Sequence, residues 1–333
     1  MRRRPIRFPL HCLSAVFPVA LQLSLVASGT EQPRRIHRPE DLKHRGYEQI
    51  ELRRSGENRL FLFGKLDGHK CSVLVDTGWS YTTISCNAAE RLKSHAPLEL
   101  QPEEAIPTAD PRHPAMIMSN LKLGRVTFTR QPVFVQDLVF NGQRAPFDVV
   151  VGCDFLIRNS AVIDCAKRRL YTRRGGRSPE QQAEFENGLQ EERYLPVVIR
   201  RTNPLALSCP ARLNGKPVEL LVDTGAVSSC LDTDLAKSLG LNLLPTPRQI
   251  TGAGAAGKRG FEVAKVDTVE LGNAAMRSLN FAVLDLGDWG LAAPDSVLAG
   301  VRGILGGPEL AECSAIIDCQ ALKLWWKPPT ARR

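Results

Sequence analysis

The chain contains one pattern twice. Residues 47–92 align without a gap on residues 194–239 at a constant offset of 147 positions, pairing Tyr47 with Tyr194, Arg53-Arg54 with Arg200-Arg201, Leu60 with Leu207 and Gly68 with Gly215. At the centre, Asp76-Thr77-Gly78 lies over Asp223-Thr224-Gly225. Farther on, Leu123-Gly124 meets Leu271-Gly272 one residue out of step, and Val150-Val151-Gly152 meets Ile304-Leu305-Gly306. Gly152 to Asp164 and Gly306 to Asp318 each span 12 positions, and both runs end in Ile-Asp-Cys. Self-similarity on this scale constrains architecture more than any single motif, because both copies must satisfy the same local rules.

The repeat divides the 333 residues in agreement with a length-based expectation of two domains. The expected organisation is a signal peptide at 1–28, a polar lead-in at 29–46, a first lobe at 47–173, a linker at 174–193, a second lobe at 194–327 and a tail at 328–333. Within each copy the pattern is mostly strand. Residues 61–66 and 71–75 read as a hairpin turning on Asp67-Gly68, and Asn214-Gly215 repeats the turn. Residues 87–93 and 234–239 read as short helices opened by Asn87 and Asp234 as caps. The linker is polar, with Gly175-Gly176, Ser178-Pro179 and no apolar period. Many short strands with few helices imply two all-β lobes.

A hydrophobic share of 43% with 24% charged residues argues against disorder and against a multi-span membrane protein. The formal charge is +9, but Arg2, Arg3, Arg4 and Arg7 precede any acid, and the chain beyond residue 28 has 40 basic against 35 acidic side chains. That mild, dispersed excess does not point to nucleic acid. A mostly apolar run from Leu10 to Val26, then Ala27, Ser28 and Gly29, has the layout of a secretory signal, with an uncleaved anchor as the alternative. The protein is expected to be exported, periplasmic or extracellular, with no membrane span after signal removal. Eight cysteines remain beyond Cys12, four per copy. An even count in an exported chain favours disulfides within each copy, the alternative being buried, reduced thiols that pack as small hydrophobes. No close CxxC spacing suggests a structural zinc site.

The chemistry is carried by Leu74-Val75-Asp76-Thr77-Gly78 and Leu221-Val222-Asp223-Thr224-Gly225. Each apolar run leads to a carboxylate at a strand end, and the glycine lets another backbone approach. A single Asp-Thr-Gly reads best as a turn. Two at equivalent repeat positions point to a pair. Two carboxylates held about 3 Å apart cannot both ionise readily, so they share a proton and serve as base and acid.

With Val150-Val151-Gly152, Cys153-Asp154-Phe155-Leu156 and Ile163-Asp164 following, this combination resembles the retropepsin-like and pepsin-like aspartic proteases over both copies. The resemblance implies two homologous β-barrel lobes forming a pseudo-dimer with a cleft between them, as in the members that use one duplicated chain rather than two identical ones. It implies Asp76 and Asp223 as the catalytic pair of a peptide-bond hydrolase, with Thr77 and Thr224 cross-bracing the loops beneath. Gly78 and Gly225 would give the backbone room to donate toward the carboxylates. No metal or other cofactor is required. The partner is a peptide or protein substrate, and one self-contained chain is favoured over a homodimer.

Gly252-Ala253-Gly254-Ala255-Ala256-Gly257-Lys258 spells a dinucleotide or phosphate loop, but Arg259 stands where Ser or Thr should bind magnesium and residues 261–271 continue as strand rather than helix. Its position matches the flap hairpin of these proteases, with Gly252, Gly254 and Gly257 supplying mobility over substrate. Two features of the first copy depart from the family. Trp79 stands where Ala, Ser or Thr is usual, and could disturb Asp76 or shape the cleft. The corresponding flap region, 105–118, has prolines and no glycine. These leave two alternatives, a catalytically inactive peptide- or protein-binding module and an enzyme whose second lobes pair between chains.

Overall fold

A computed structural model of the chain describes residues 38–91, 115–140, 143–144, 146–202, 206–250, 259–287 and 300–328. The expected signal segment and the glycines Gly252, Gly254 and Gly257 lie outside the described residues. Among those described, no helix is long and apolar enough to cross a membrane.

Each copy of the repeat closes a six-stranded β-barrel. The first barrel runs Leu60–Leu66, His69–Val75, Val149–Val151, Thr83–Ser85, Val126–Gln136 and Ala115–Leu123, and closes where Leu66 pairs with Leu121. The second runs Leu207–Leu213, Lys216–Val222, Val301–Leu305, Cys230–Asp232, Ala274–Leu284 and Arg259–Leu271, closing at Leu213 and Val269. Strand Leu60–Leu66 shows why: Leu60, Leu62, Gly64 and Leu66 point inward and Phe63 and Lys65 outward, the two-residue period of a half-buried strand. Gly64 sits where the barrel closes, and a Cβ there would lie 2.7 Å from the Lys122 carbonyl oxygen.

Both expected hairpins are present. Asp67 and Gly68 have φ of 47° and 86°, and Asn214 and Gly215 have 47° and 81°, the double positive φ that a two-residue turn with matching twist requires. Both short helices are present too, at Cys86–Arg91 and Thr233–Ser238, but their caps lie earlier than the sequence suggested. Ser85 Oγ accepts from the Ala88 N–H, and Asp232 Oδ1 accepts from the N–H groups of Asp234 and Leu235. Each cap is the last residue of the preceding strand, so strand and helix share a junction that periodicity alone does not resolve.

The lobes join through a six-stranded sheet in the order Glu48–Glu51, Arg169–Thr172, Val162–Asp164, Ile316–Asp318, Lys323–Trp326 and Leu195–Val198. Its central pair sets one Ile-Asp-Cys run antiparallel to the other, Ile163 opposite Ile317. Side chains alternate between its faces. Ile163, Leu170, Ile317 and Trp326 enter the main core shared with both barrels, while Val162, Tyr171, Ile316 and Trp325 face the other way.

That second face is covered by the segment read as a linker. Residues Pro179–Glu191 form a 13-residue helix whose Phe185 and Leu189 are fully buried against Leu42, Tyr47, Tyr171 and Trp325. Ser178 caps it reciprocally with Gln181, and Pro179 occupies the first turn, where its missing N–H costs nothing. Arg177, just ahead of the helix, is buried and pairs with buried Asp318 at 2.5 Å and with the Tyr47 hydroxyl at 2.9 Å. The polar composition is therefore that of an amphipathic helix with a narrow apolar face, not of a solvated tether. Within the lead-in, a 3-10 helix, Pro39–Arg45, buries Leu42.

The expected disulfides are not formed. All eight described cysteines are free, and seven of them are buried. Cys71, Cys153, Cys165, Cys209, Cys313 and Cys319 are built into the main apolar cluster, where a thiol behaves as a small hydrophobe, and burial raises the pKa of each.

Candidate active site

Both aspartates emerge at the ends of barrel strands held from the side by the apolar-apolar-Gly motif. Strand Val149–Val151 runs parallel to His69–Val75, and the Asp76 N–H donates to the Val151 carbonyl at 3.0 Å. The second copy repeats this, with Asp223 N–H donating to Leu305 O at 3.0 Å.

Beneath them the threonines cross between lobes. Thr77 Oγ1 donates to Val222 O at 2.7 Å and accepts from the Thr224 N–H at 3.1 Å. Thr224 Oγ1 donates to Val75 O at 2.8 Å and accepts from the Thr77 N–H at 3.1 Å. Both side chains are essentially inaccessible. Four bonds with pseudo-twofold symmetry therefore fix one Asp-Thr-Gly loop on the other.

The glycines complete the approach. A Cβ on Gly78 would stand 2.5 Å from the Asp223 carboxyl, and one on Gly225 would overlap the carboxyl of Asp76. Any larger residue at either place would drive the two acids apart. The Gly78 N–H donates to Asp76 Oδ1 at 2.9 Å, and the Gly225 N–H donates to Asp223 Oδ1 at 2.7 Å. Asp223 receives a further N–H from Ala226 at 2.9 Å.

The Asp76 carboxyl lies against Gly225 and the Asp223 carboxyl against Gly78, which brings the two acids close enough for each to act on the other's ionisation. Burial pushes the acidity of both toward higher pH. For Asp76 the neighbouring Asp223 charge adds to the effect and carries its pKa well above the usual carboxylate range, whereas Asp223 is partly offset by Asp76 and by its two backbone donors. Asp223, with two backbone N–H donors against one for Asp76, is the better solvated of the two carboxyls by the backbone.

Behind the loops the copies carry matched supports. Asp154 accepts from Thr82 at both N–H (2.7 Å) and hydroxyl (2.8 Å), while Glu309 accepts from the Ser229 hydroxyl at 2.6 Å. Trp79 is held by the first lobe. Its indole N–H donates to Thr83 Oγ1 at 2.9 Å, and its ring packs on the cluster of Leu74, Leu138, Phe147 and Val150.

The family model for aspartyl proteases matches residues 63–155 and 209–308, once in each copy of the repeat. The chain belongs to this family. Among solved structures it is similar to a retropepsin-like aspartic protease from Rickettsia conorii, at 17% identity over 38% of this chain and 89% of that one (TM-score 0.27). It is also similar to the aspartic proteinase from Irpex lacteus, at 13% identity over 86% and 98% (TM-score 0.46), and to Basic 7S globulin from soybean, at 10% identity over 85% and 94% (TM-score 0.49). No curated protein matches the chain.

Of the residues expected at this family's site, Asp76, Thr77, Gly78, Asp223, Thr224 and Gly225 are brought together, and the three flap glycines lie outside the described residues. Sequence reasoning passed over Thr82 and Ser229, although they stand at the same 147-residue offset. It also passed over Arg59, which is buried, donates from Nε to the Gly225 carbonyl at 3.1 Å and pairs with Glu57. Its repeat counterpart is Ala206, so self-similarity could not reveal it.

Proposed function

We propose that the protein is an aspartic endopeptidase that hydrolyses peptide bonds with a water activated by Asp76 and Asp223. The reading is supported above all by the convergence of the two carboxyl groups, each against the glycine of the opposite loop, on loops cross-braced by Thr77 and Thr224. Ionised Asp223, stabilised by the Gly225 and Ala226 N–H groups, takes a proton from the water as its oxygen attacks the scissile carbonyl carbon. Protonated Asp76 donates to the carbonyl oxygen as negative charge develops there. The proton now on Asp223 passes to the leaving nitrogen, the C–N bond breaks, and Asp76 recovers its proton as the carboxylic acid product forms. The substrate lies in a cleft between the lobes, and the enzyme acts outside the cytoplasm after export directed by residues 1–28.

The test is cleavage of a mixed peptide library at several pH values, with and without a pepstatin-type inhibitor. Cleavage by the unmodified protein that disappears in Asp76→Asn and in Asp223→Asn supports the reading. Cleavage persisting in either variant overturns the assignment of the dyad, and cleavage absent at every pH from the unmodified protein ends the reading in favour of a binding module.

A further inference from the structure

Asp76 is buried and Asp223 half-buried, and among the described residues Arg59 brings a cation close to the pair. Arg59 lies immediately before strand Leu60–Leu66 of the first lobe, is only 7% exposed, and crosses to the second lobe to donate to the Gly225 carbonyl at 3.1 Å. That carbonyl belongs to the residue whose N–H donates to Asp223 Oδ1 at 2.7 Å. One peptide unit away from the carboxylate, the guanidinium thus fixes the loop that orients it. A guanidinium keeps its charge at any pH compatible with folding. Its positive charge acts on both Asp76 and Asp223 in the direction of greater acidity.

The other described titratable groups around the pair supply no such charge. The Cys153 thiol donates to Thr77 O at 3.1 Å, and burial raises its pKa. Burial carries the Cys230 thiol up to about 12, so both thiols are neutral in the working range. Glu57 faces the outer side of Arg59 with its own side chain 58% exposed. Ala206 occupies the equivalent position of the second lobe, so the asymmetry is built into the duplicated sequence.

We infer that Arg59 is a positioning residue that fixes the Asp223 loop from the opposite lobe and sets the pH range over which the two acids hold one proton between them. The inference rests on the reading of Asp76 and Asp223 as the catalytic pair. With the cation in place both acids ionise at lower pH, and without it the singly protonated window moves upward.

The test compares pH profiles of kcat/KM for the unmodified protein, Arg59→Met, Arg59→Lys and Glu57→Gln, alongside ¹³C NMR titration of the aspartate carboxyls in the same proteins. Arg59→Met moves both the activity limbs and the carboxyl midpoints to higher pH, by on the order of one pH unit. Arg59→Lys restores most of the position. Glu57→Gln, which removes the charge opposing Arg59, moves them slightly the other way, by less because Glu57 is largely solvated. Unmoved limbs and midpoints in Arg59→Met overturn the inference whatever happens to the rate. Should Arg59→Met fail to fold, Glu57→Gln decides: a shift to higher pH, or none, overturns it. A protein that cleaves nothing sinks the catalytic reading, while the carboxyl titration still decides the role of Arg59.

Discussion

Thr77 and Thr224 each use one hydroxyl twice, as donor to a carbonyl and as acceptor from an N–H of the opposite lobe. Thr224→Ala strands the Val75 carbonyl and the Thr77 N–H in a site without water access, costing on the order of 2–3 kcal/mol. Urea denaturation measures this, and Thr224→Ser recovers most of it. The acids behave oppositely. Burial and the Asp223 charge raise the pKa of Asp76 above its unfolded value, so its contribution to stability is full in acid and is lost as pH rises through the folded value. Asp76→Asn therefore abolishes cleavage yet stabilises the fold at pH 7 relative to the unmodified protein, with the advantage shrinking toward pH 4. Equal denaturation midpoints at both pH values would contradict this. Of these residues, the acids, threonines and glycines were legible because the chain states them twice. Arg59 was not, because its role depends on a carbonyl 166 positions away and on no repeated pattern.

Secondary-structure elements were legible where local chemistry alone decides them. Asp67-Gly68 and Asn214-Gly215 take positive φ wherever they stand between strands, and both hairpins follow. The helix Pro179–Glu191 was illegible for a complementary reason. Its buried side chains are essentially Phe185 and Leu189, one turn apart in an otherwise polar run, too few to show a period, and they become an apolar face only when Tyr171 and Trp325 lie opposite. The Ser178 cap was the local signal that could have found it. Phe185→Ala should cost about 3–5 kcal/mol through the cavity left on the sheet, and Ser178→Ala only about 1 kcal/mol. Thermal unfolding of the two variants should rank them in that order. Similar small losses for both would mean that the helix rests on the sheet without supporting it.

At the scale of the whole molecule, an even cysteine count suggested covalent staples, and the fold instead spends these residues as core packing. With seven of eight described thiols buried, a thiol reagent under native conditions should label Cys86 well ahead of the others, and all eight should react once the protein is denatured. Mass mapping that finds cystine in the native protein would reverse this. The central pairing of Ile163 with Ile317 carries a different kind of consequence. An edge that fits its own counterpart needs no foreign template, so one repeat expressed alone would present a sticky border complementary to its twin. Joining the twins in one polypeptide turns a second-order encounter into a first-order one, and dilution then cannot strip one half of the machinery from the other.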